Sequence, residues 1–224
     1  AYSSISKMGL MGILLGLAMM QPELTEYAVI AVVFFAAYHG LTKAALFLGT
    51  GIASEISSRW VLIMLVLLSL IMMGAPLTAG AMHKTLIKPV IEGFDGYWTS
   101  FIPELLVIAT IGTTLMMIRF LFVMQSTQVN QASTDNRRAV PWLLLVIVSL
   151  LAPLAPGYDF PPLIDSWPVL AGIVIAAVLI KKRPAFLAKL IGRIPPGDMI
   201  VIFHWLYCQL RRVLSALIDS LEQI

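Results

Sequence analysis

Charge is what this sequence has least of. Only 12% of its 224 residues are Asp, Glu, Lys or Arg, 59% are hydrophobic, and the mean hydropathy is +0.92. A soluble domain carries roughly 25% charged residues, so this is the composition of an integral membrane protein. The net charge of +3 is spread over loops, with no basic patch interleaved with aromatics, which argues against a nucleic-acid partner. A single cysteine, Cys208, excludes an internal disulfide, a cysteine-ligated cluster and a Cys-x-x-Cys redox motif. His39, His83 and His204 fall at no haem or metal spacing, so neither metal nor cofactor is expected. No Gly-x-Ser-x-Gly motif, Walker loop or catalytic dyad occurs, so no catalytic residue is assigned. The opening Ala1-Tyr2-Ser3-Ser4 has neither Met nor a charged signal-peptide start, and the chain is expected to be cut from something longer.

What the sequence has in abundance is apolar runs. Six can be separated by turn and charge signals: about Ser6–Met20, Tyr27–Ala53, Trp60–Val90, Phe101–Met124, Val140–Leu154 and Leu163–Ile180. The third is too long for one straight span. Its middle, Gly74-Ala75-Pro76-Leu77-Thr78-Ala79-Gly80, holds helix-breaking residues, which predicts two half-helices around an unwound segment at about 60–90. The ~10-residue alternating segments of a membrane barrel are missing. The expected fold is all-α: a polytopic transmembrane bundle of about six spans with one discontinuous helix. After Pro195-Pro196-Gly197, apolar residues from Met199 to Ile224 recur every three or four positions among Arg211, Arg212, Asp219 and Glu222. That pattern predicts an amphipathic helix on the cytoplasmic surface or against a partner. The expected divisions are 1–124, 125–180 with two further spans, and a basic segment with the amphipathic helix at 181–224.

Loop charge predicts the orientation. One side carries Lys7, Arg59, Arg137, Arg138, Lys181, Lys182, Arg183, Lys189 and Arg193 against Glu55 and Asp135. The other carries Glu23, Glu26, Glu92, Asp95, Glu104, Asp159 and Asp165, with Lys88 as its main base. The positive-inside rule puts the first side, and the C-terminus, in the cytoplasm. Six spans keep that division self-consistent; five or seven would scramble it.

Against this scarcity of charge, Lys43 stands out. It lies ten residues from the end of its run, ~15 Å at 1.5 Å per residue, near the bilayer midplane. Its side chain snorkels only part of that distance. A charge there costs about 2.5–3.5 kcal/mol on insertion scales. His39, at i−4, shares its helix face, and Tyr38, Thr42 and Thr50 add hydroxyls able to hold water. Such a pair suits a proton relay; the alternative is a static structural pair facing another helix. Lys84 follows the Gly/Pro break and fits a second relay station, or an interfacial lysine beside Lys88. His83 reads as interfacial. Thr78 lies in the break and can support it. Arg119 lies near the cytoplasmic end of its run and reads as snorkelling. Glu104 and Asp165 read as helix-start carboxylates. Gly49-Thr50-Gly51 looks like a nucleotide loop only superficially; it follows no strand, and close helix packing is expected.

These residues carry a resemblance. Tyr2-Ser3-Ser4-Ile5-Ser6-Lys7-Met8-Gly9 resembles the "YS-x-x-S-x-x-G" helix start of the proton-conducting antiporter-like membrane subunits. Those occur in respiratory complex I, Mrp-type cation/proton antiporters and membrane-bound hydrogenases. His39-Gly-Leu-Thr-Lys43-Ala-Ala-Leu-Phe-Leu48 is similar to that family's "H-x-x-x-K-A-x-L-F-L" signature. Gly74–Gly80 followed by Lys84 resembles its broken helix, and Thr114–Arg119 its next helix. The motifs cover about 2–124. The resemblance implies that Lys43 is a central-axis lysine, that His39 links it to water and neighbouring polar groups, and that Lys84 is the terminal lysine of the broken helix. Some members have a second histidine one turn before the His39 position; here Phe35 stands there. The family module has two inverted repeats, and this chain would begin inside the second. The chain would then be a fragment, one product of a split gene, or a reduced subunit; a partner protein supplying the first half-module is expected, alongside other membrane subunits and the bilayer.

The function expected from the sequence is a proton, or Na+/H+, translocating subunit of a multi-subunit complex in a prokaryotic cytoplasmic membrane. It would relay protons through Lys43, His39 and Lys84. The alternative is a non-conducting membrane subunit that scaffolds a conducting partner. An independent small channel or transporter is a third reading. As an enzyme the chain would act only as part of a redox-driven or antiporter translocase.

Overall fold

The computed structural model describes residues 2–55, 58–126, 138–154, 160–182, 207–209 and 211–212. Among the described residues every regular element is helical and no strand occurs. The helices are α1 (Tyr2–Met20), α2 (Thr25–Glu55), α3 (Arg59–Met73), α4 (Ala79–Glu92), α5 (Phe101–Ser126), α6 (Ala139–Leu151) and α7 (Trp167–Lys182). Single 3-10 turns precede α2, α5 and α7, at Pro22–Leu24, Tyr97–Ser100 and Leu163–Ser166.

Three stretches are long and apolar enough to cross a membrane: Pro22–Glu55, Phe101–Gln125 and Leu163–Lys182. The shortest has 20 residues, ~30 Å of helix, which matches the hydrocarbon core. Ser6–Met20, Arg59–Met73 and Ala139–Leu154 are apolar but shorter. Large apolar side chains face outward along these helices, among them Val33, Phe47, Ile108 and Leu170. A helix in water would turn such residues inward. Length and surface together make this a membrane protein.

The run from Trp60 to Val90 is two helices, as the Gly/Pro chemistry predicts. Gly74 ends α3 at φ 73°, a left-handed conformation that costs glycine little. Its N–H donates to the Ile71 carbonyl at 3.1 Å, and the Ala75 N–H donates to Leu70 at 3.0 Å. This is the paired bonding of a Schellman motif, which satisfies carbonyls that the helix end would orphan. Leu77, at φ 61°, is the other left-handed residue of the break. Thr78 then caps α4: its hydroxyl donates to the Ala75 carbonyl at 2.6 Å and accepts from the Ala81 N–H at 3.4 Å. The two helix ends press together at Gly80, where a Cβ would collide with the Ile71 carbonyl oxygen and meet Gly74 Cα at 2.9 Å.

Helix α2 is the hub. It packs against α1, α3, α4 and α6, and α5 leans on α3. Its buried residues, from Ala28, Ala31 and Phe35 to Ala45, Gly49 and Ile52, recur at helical spacing. One core cluster joins Ala28 and Ala31 to Leu14 of α1 and to Ile87 and Val90 of α4. The other joins Phe35 and Ala45 to Leu65 and Leu68 of α3 and to Trp142 and Val146 of α6. Gly49 is packed closely: a Cβ there would lie 2.8 Å from both Leu65 Cδ2 and Trp142 Nε1. The same indole N–H donates to the Ala45 carbonyl at 2.8 Å, and Arg138 pairs with Glu55 at 3.0 Å. These contacts fasten α6 to the last turns of α2.

By compactness the chain divides into Ala1–Ala176 and Ala177–Ile224. The packing above belongs to the first unit. In the second, 177–182 finish α7, and 207–209 and 211–212 are helical. Apart from those last residues the expected amphipathic helix lies outside the described residues. So do the basic residues Arg183, Lys189 and Arg193, and 127–137 of the loop before α6.

Candidate functional site

A cavity of about 690 Å³ opens beside the break between α3 and α4. Both Gly74 and Gly80 reach its wall, together with Met72 and Met73. Unwound backbone at membrane depth is tolerated where it lines such a space. The rest of the wall comes from α1, α4, α5, one turn of α2 and the start of α7, and most of it is apolar.

Five basic or phenolic side chains reach this apolar wall: Lys7 from α1, Tyr38 from α2, and His83, Lys84 and Lys88 from α4. Lys84 is half-buried, and its Cε would lie 3.4 Å from a Cβ placed on Gly74, so its stem runs back over the break. His83 is 4% exposed and stacks on Phe35, ring centres 4.1 Å apart. Lys7 Nζ stands 6.0 Å from the centre of that same ring, within cation–π range. Phe35 also touches Tyr38 at 5.4 Å and His39 at 5.3 Å between ring centres. One phenylalanine thus holds two histidines, a tyrosine and a lysine around itself.

His39 and Lys43 are not on the cavity wall. They lie behind Phe35 on α2, His39 buried and Lys43 half-buried. They remain in electrostatic range of the cavity group. His39 senses Lys43 and Lys7; Lys7 senses Lys84 and Lys43; His83 senses Lys7, His39 and Lys84. Interactions of this kind are strong where little water screens them. A charge on any one of the five bases is therefore felt by its neighbours.

Three buried polar atoms at this centre have no hydrogen-bond partner in the protein: Nε2 of His39, Nε2 of His83 and Oγ1 of Thr42. Buried groups are nearly always satisfied, and of five such orphans among the described residues these three lie on α2 and α4, the others being Gln21 Oε1 and Ser149 Oγ. Among the described residues, no three His, Cys, Asp or Glu side chains converge as metal ligands would.

No family model, no curated protein and no solved structure matches the chain.

The sequence-predicted residues separate into two groups. Lys84 and Tyr38 line the cavity, and His39, Thr42 and Lys43 of α2 are not on its wall. Thr78 supports the break as the cap of α4. Thr50 is elsewhere, its hydroxyl donating to its own helix at Phe47 O, 2.6 Å away. Arg119 is exposed on α5 and away from the cavity.

Two expectations need correction. His83, read as interfacial, is buried in the centre of the site, because α4 turns its His83–Ile87–Ile91 face toward α2 and α1. Lys7, counted among the loop charges, lies within α1 and faces the cavity with Ser6 and Leu10. The available signal was that Lys7 falls inside an apolar helix a turn and a half from its start; the loop count used its position in the chain and not its face. Asp165, read as a helix-start residue, also reaches the cavity wall, and its carboxylate lies within electrostatic range of Lys84.

Proposed function

We propose that this chain is a proton, or Na+/H+, translocating membrane subunit, or part of one, working within a multi-subunit ion-pumping complex. The observation that carries the reading is the gathering of Lys7, His39, Lys43, His83 and Lys84 from three helices beside a broken helix and a cavity. Ionisable groups inside membrane segments are costly and mark ion paths and proton relays. The orphaned ring nitrogens support the same reading, since a water chain needs such atoms for hydrogen bonds. A proton would pass from Lys43 and His39, around Phe35, to the Lys7–His83–Lys84 group.

The finer topology belongs to this proposal. Six spans, with α3 and α4 as the two halves of one, put the loops bearing Arg59 and Arg138, the end of α7 and the C-terminus in the cytoplasm of a prokaryotic cell. Moving Lys7 from the loops into the site leaves that charge asymmetry in place. The motifs at Tyr2–Gly9, His39–Leu48 and Gly74–Lys84 support membership of the antiporter-like family and, with it, partnership with other membrane subunits.

A second reading is favoured by Phe35. Its ring separates His39 from His83, as an apolar block between two stations would. On that reading the chain is a non-conducting scaffold for a conducting partner. Replacing Lys43 with Ala in the native complex distinguishes the two. The relay reading expects proton or sodium pumping to fall by about tenfold or more while the complex assembles normally. Unchanged pumping in a normally assembled complex would sink it.

A further inference from the structure

We propose that Asp165 is the acidic mouth of the Lys84 path, a carboxylate that faces water on one side and the cavity it shares with the Lys84 ammonium on the other. The proposal rests on the relay reading above.

Lys7, His83, Lys84, Lys88, Glu92 and Asp165 all reach the cavity wall, and the Lys84 stem lies against Gly74 of the break. Glu92 is already engaged by Lys88, 3.7 Å away on the next turn of α4. From α5 the wall receives Thr110 and Thr113, whose hydroxyls donate to the carbonyls of Leu106 and Ala109 in their own helix. Tyr38 is the only titratable group on the wall from α2. That leaves Asp165 as the acid that shares the cavity wall with Lys84. The two make no direct ion pair, and both reach the wall of the one cavity. The turn Leu163–Ser166, closed by the Asp165 N–H donating to the Pro162 carbonyl at 2.9 Å, presents Asp165 on the wall beside Trp167 and Pro168. Asp165 is itself exposed, which suits a group that trades protons with bulk water.

The step is a simple transfer. An N–H bond of the Lys84 ammonium breaks, and its proton moves through cavity water to form an O–H bond on the Asp165 carboxylate. The neutral amine stays behind, and Asp165 then releases the proton to the aqueous phase and returns to a carboxylate.

A helix-start role predicts something different. Loss of a helix-start charge lowers stability only slightly, too little to change transport per assembled complex, so a purely structural Asp165 tolerates Asp165→Asn. The experiment measures initial rates of proton translocation per assembled native complex for Asp165→Asn, Asp165→Glu, Lys84→Gln and the Asn/Gln double variant. The proposal expects Asp165→Asn to lose about tenfold, Asp165→Glu to restore at least about half the rate, and Asp165→Asn to add no further loss to Lys84→Gln. A wild-type rate in Asp165→Asn beside an impaired Lys84→Gln overturns the proposal and leaves the relay reading standing. Equal losses in Asn and Glu variants, or a further loss in the double variant, also overturn it. A wild-type rate in Lys84→Gln removes the relay reading itself.

Discussion

Helix α2 has two neighbours of opposite character. Toward α6 it offers Ala45 and Gly49; there the Trp142 N–H donates to Ala45 and Arg138 meets Glu55, while the buried Ser149 hydroxyl of α6 has no partner in the protein. Toward α4 it offers Phe35, Tyr38, His39 and Thr42, and two of these four keep a buried polar atom without a partner. The first contact is fastened by those two bonds and leaves no room at Gly49. The second keeps a cavity and a cluster of bases that repel one another when charged. A helix built only for packing would make both faces like the first. On the proposed reading, function belongs to the α4 side and stability to the α6 side.

Variants can break that comparison, starting with the largest effect. Gly80→Val puts a side chain into the Ile71 carbonyl and Gly74, where backbone cannot yield. It should cost about 3 kcal/mol or more, and assembled complex should drop in native gels of membrane extracts. Gly49→Leu drives a side chain into Leu65 and Trp142. A loss of about 1–3 kcal/mol is expected, read as a lower unfolding temperature in detergent, with transport per assembled complex unchanged. Phe35→His replaces the ring that four polar side chains share. The extra buried polar group should cost about 1–2 kcal/mol, while transport per complex stays at the wild-type rate or above; a clear fall would show that the apolar ring is itself required. Trp142→Phe removes one hydrogen bond, about 1 kcal/mol, again without effect on transport. Arg119→Gln, on the exposed face of α5, should change stability by less than about 0.5 kcal/mol and leave transport alone.

Much of this was legible in the residues. The helices follow from long apolar runs, and the break follows from Gly74, Pro76 and Gly80, whose backbone preferences act locally. The pairing of His39 with Lys43 is a matter of helical spacing. Lys7 and His83 mislead for one shared reason, and the same reason hides the cavity beside the helix-start Asp165. Each lies near the end of an apolar run, where position along the chain reads as interface or cap. Which way such a residue faces is set by packing: α4 against α2, α1 against α4, and the turn before α7 against the cavity. Phe35 was noticed as a missing histidine, and its positive role, a ring that four polar groups share, needed three helices to be placed together.

The central claim is that the bases beside the break move protons. Proton pumping by the native complex carrying Lys84→Ala, normalised to the amount of assembled complex, tests it most directly. The account predicts normal assembly and a rate lower by about tenfold or more. A wild-type rate from a normally assembled complex would contradict it.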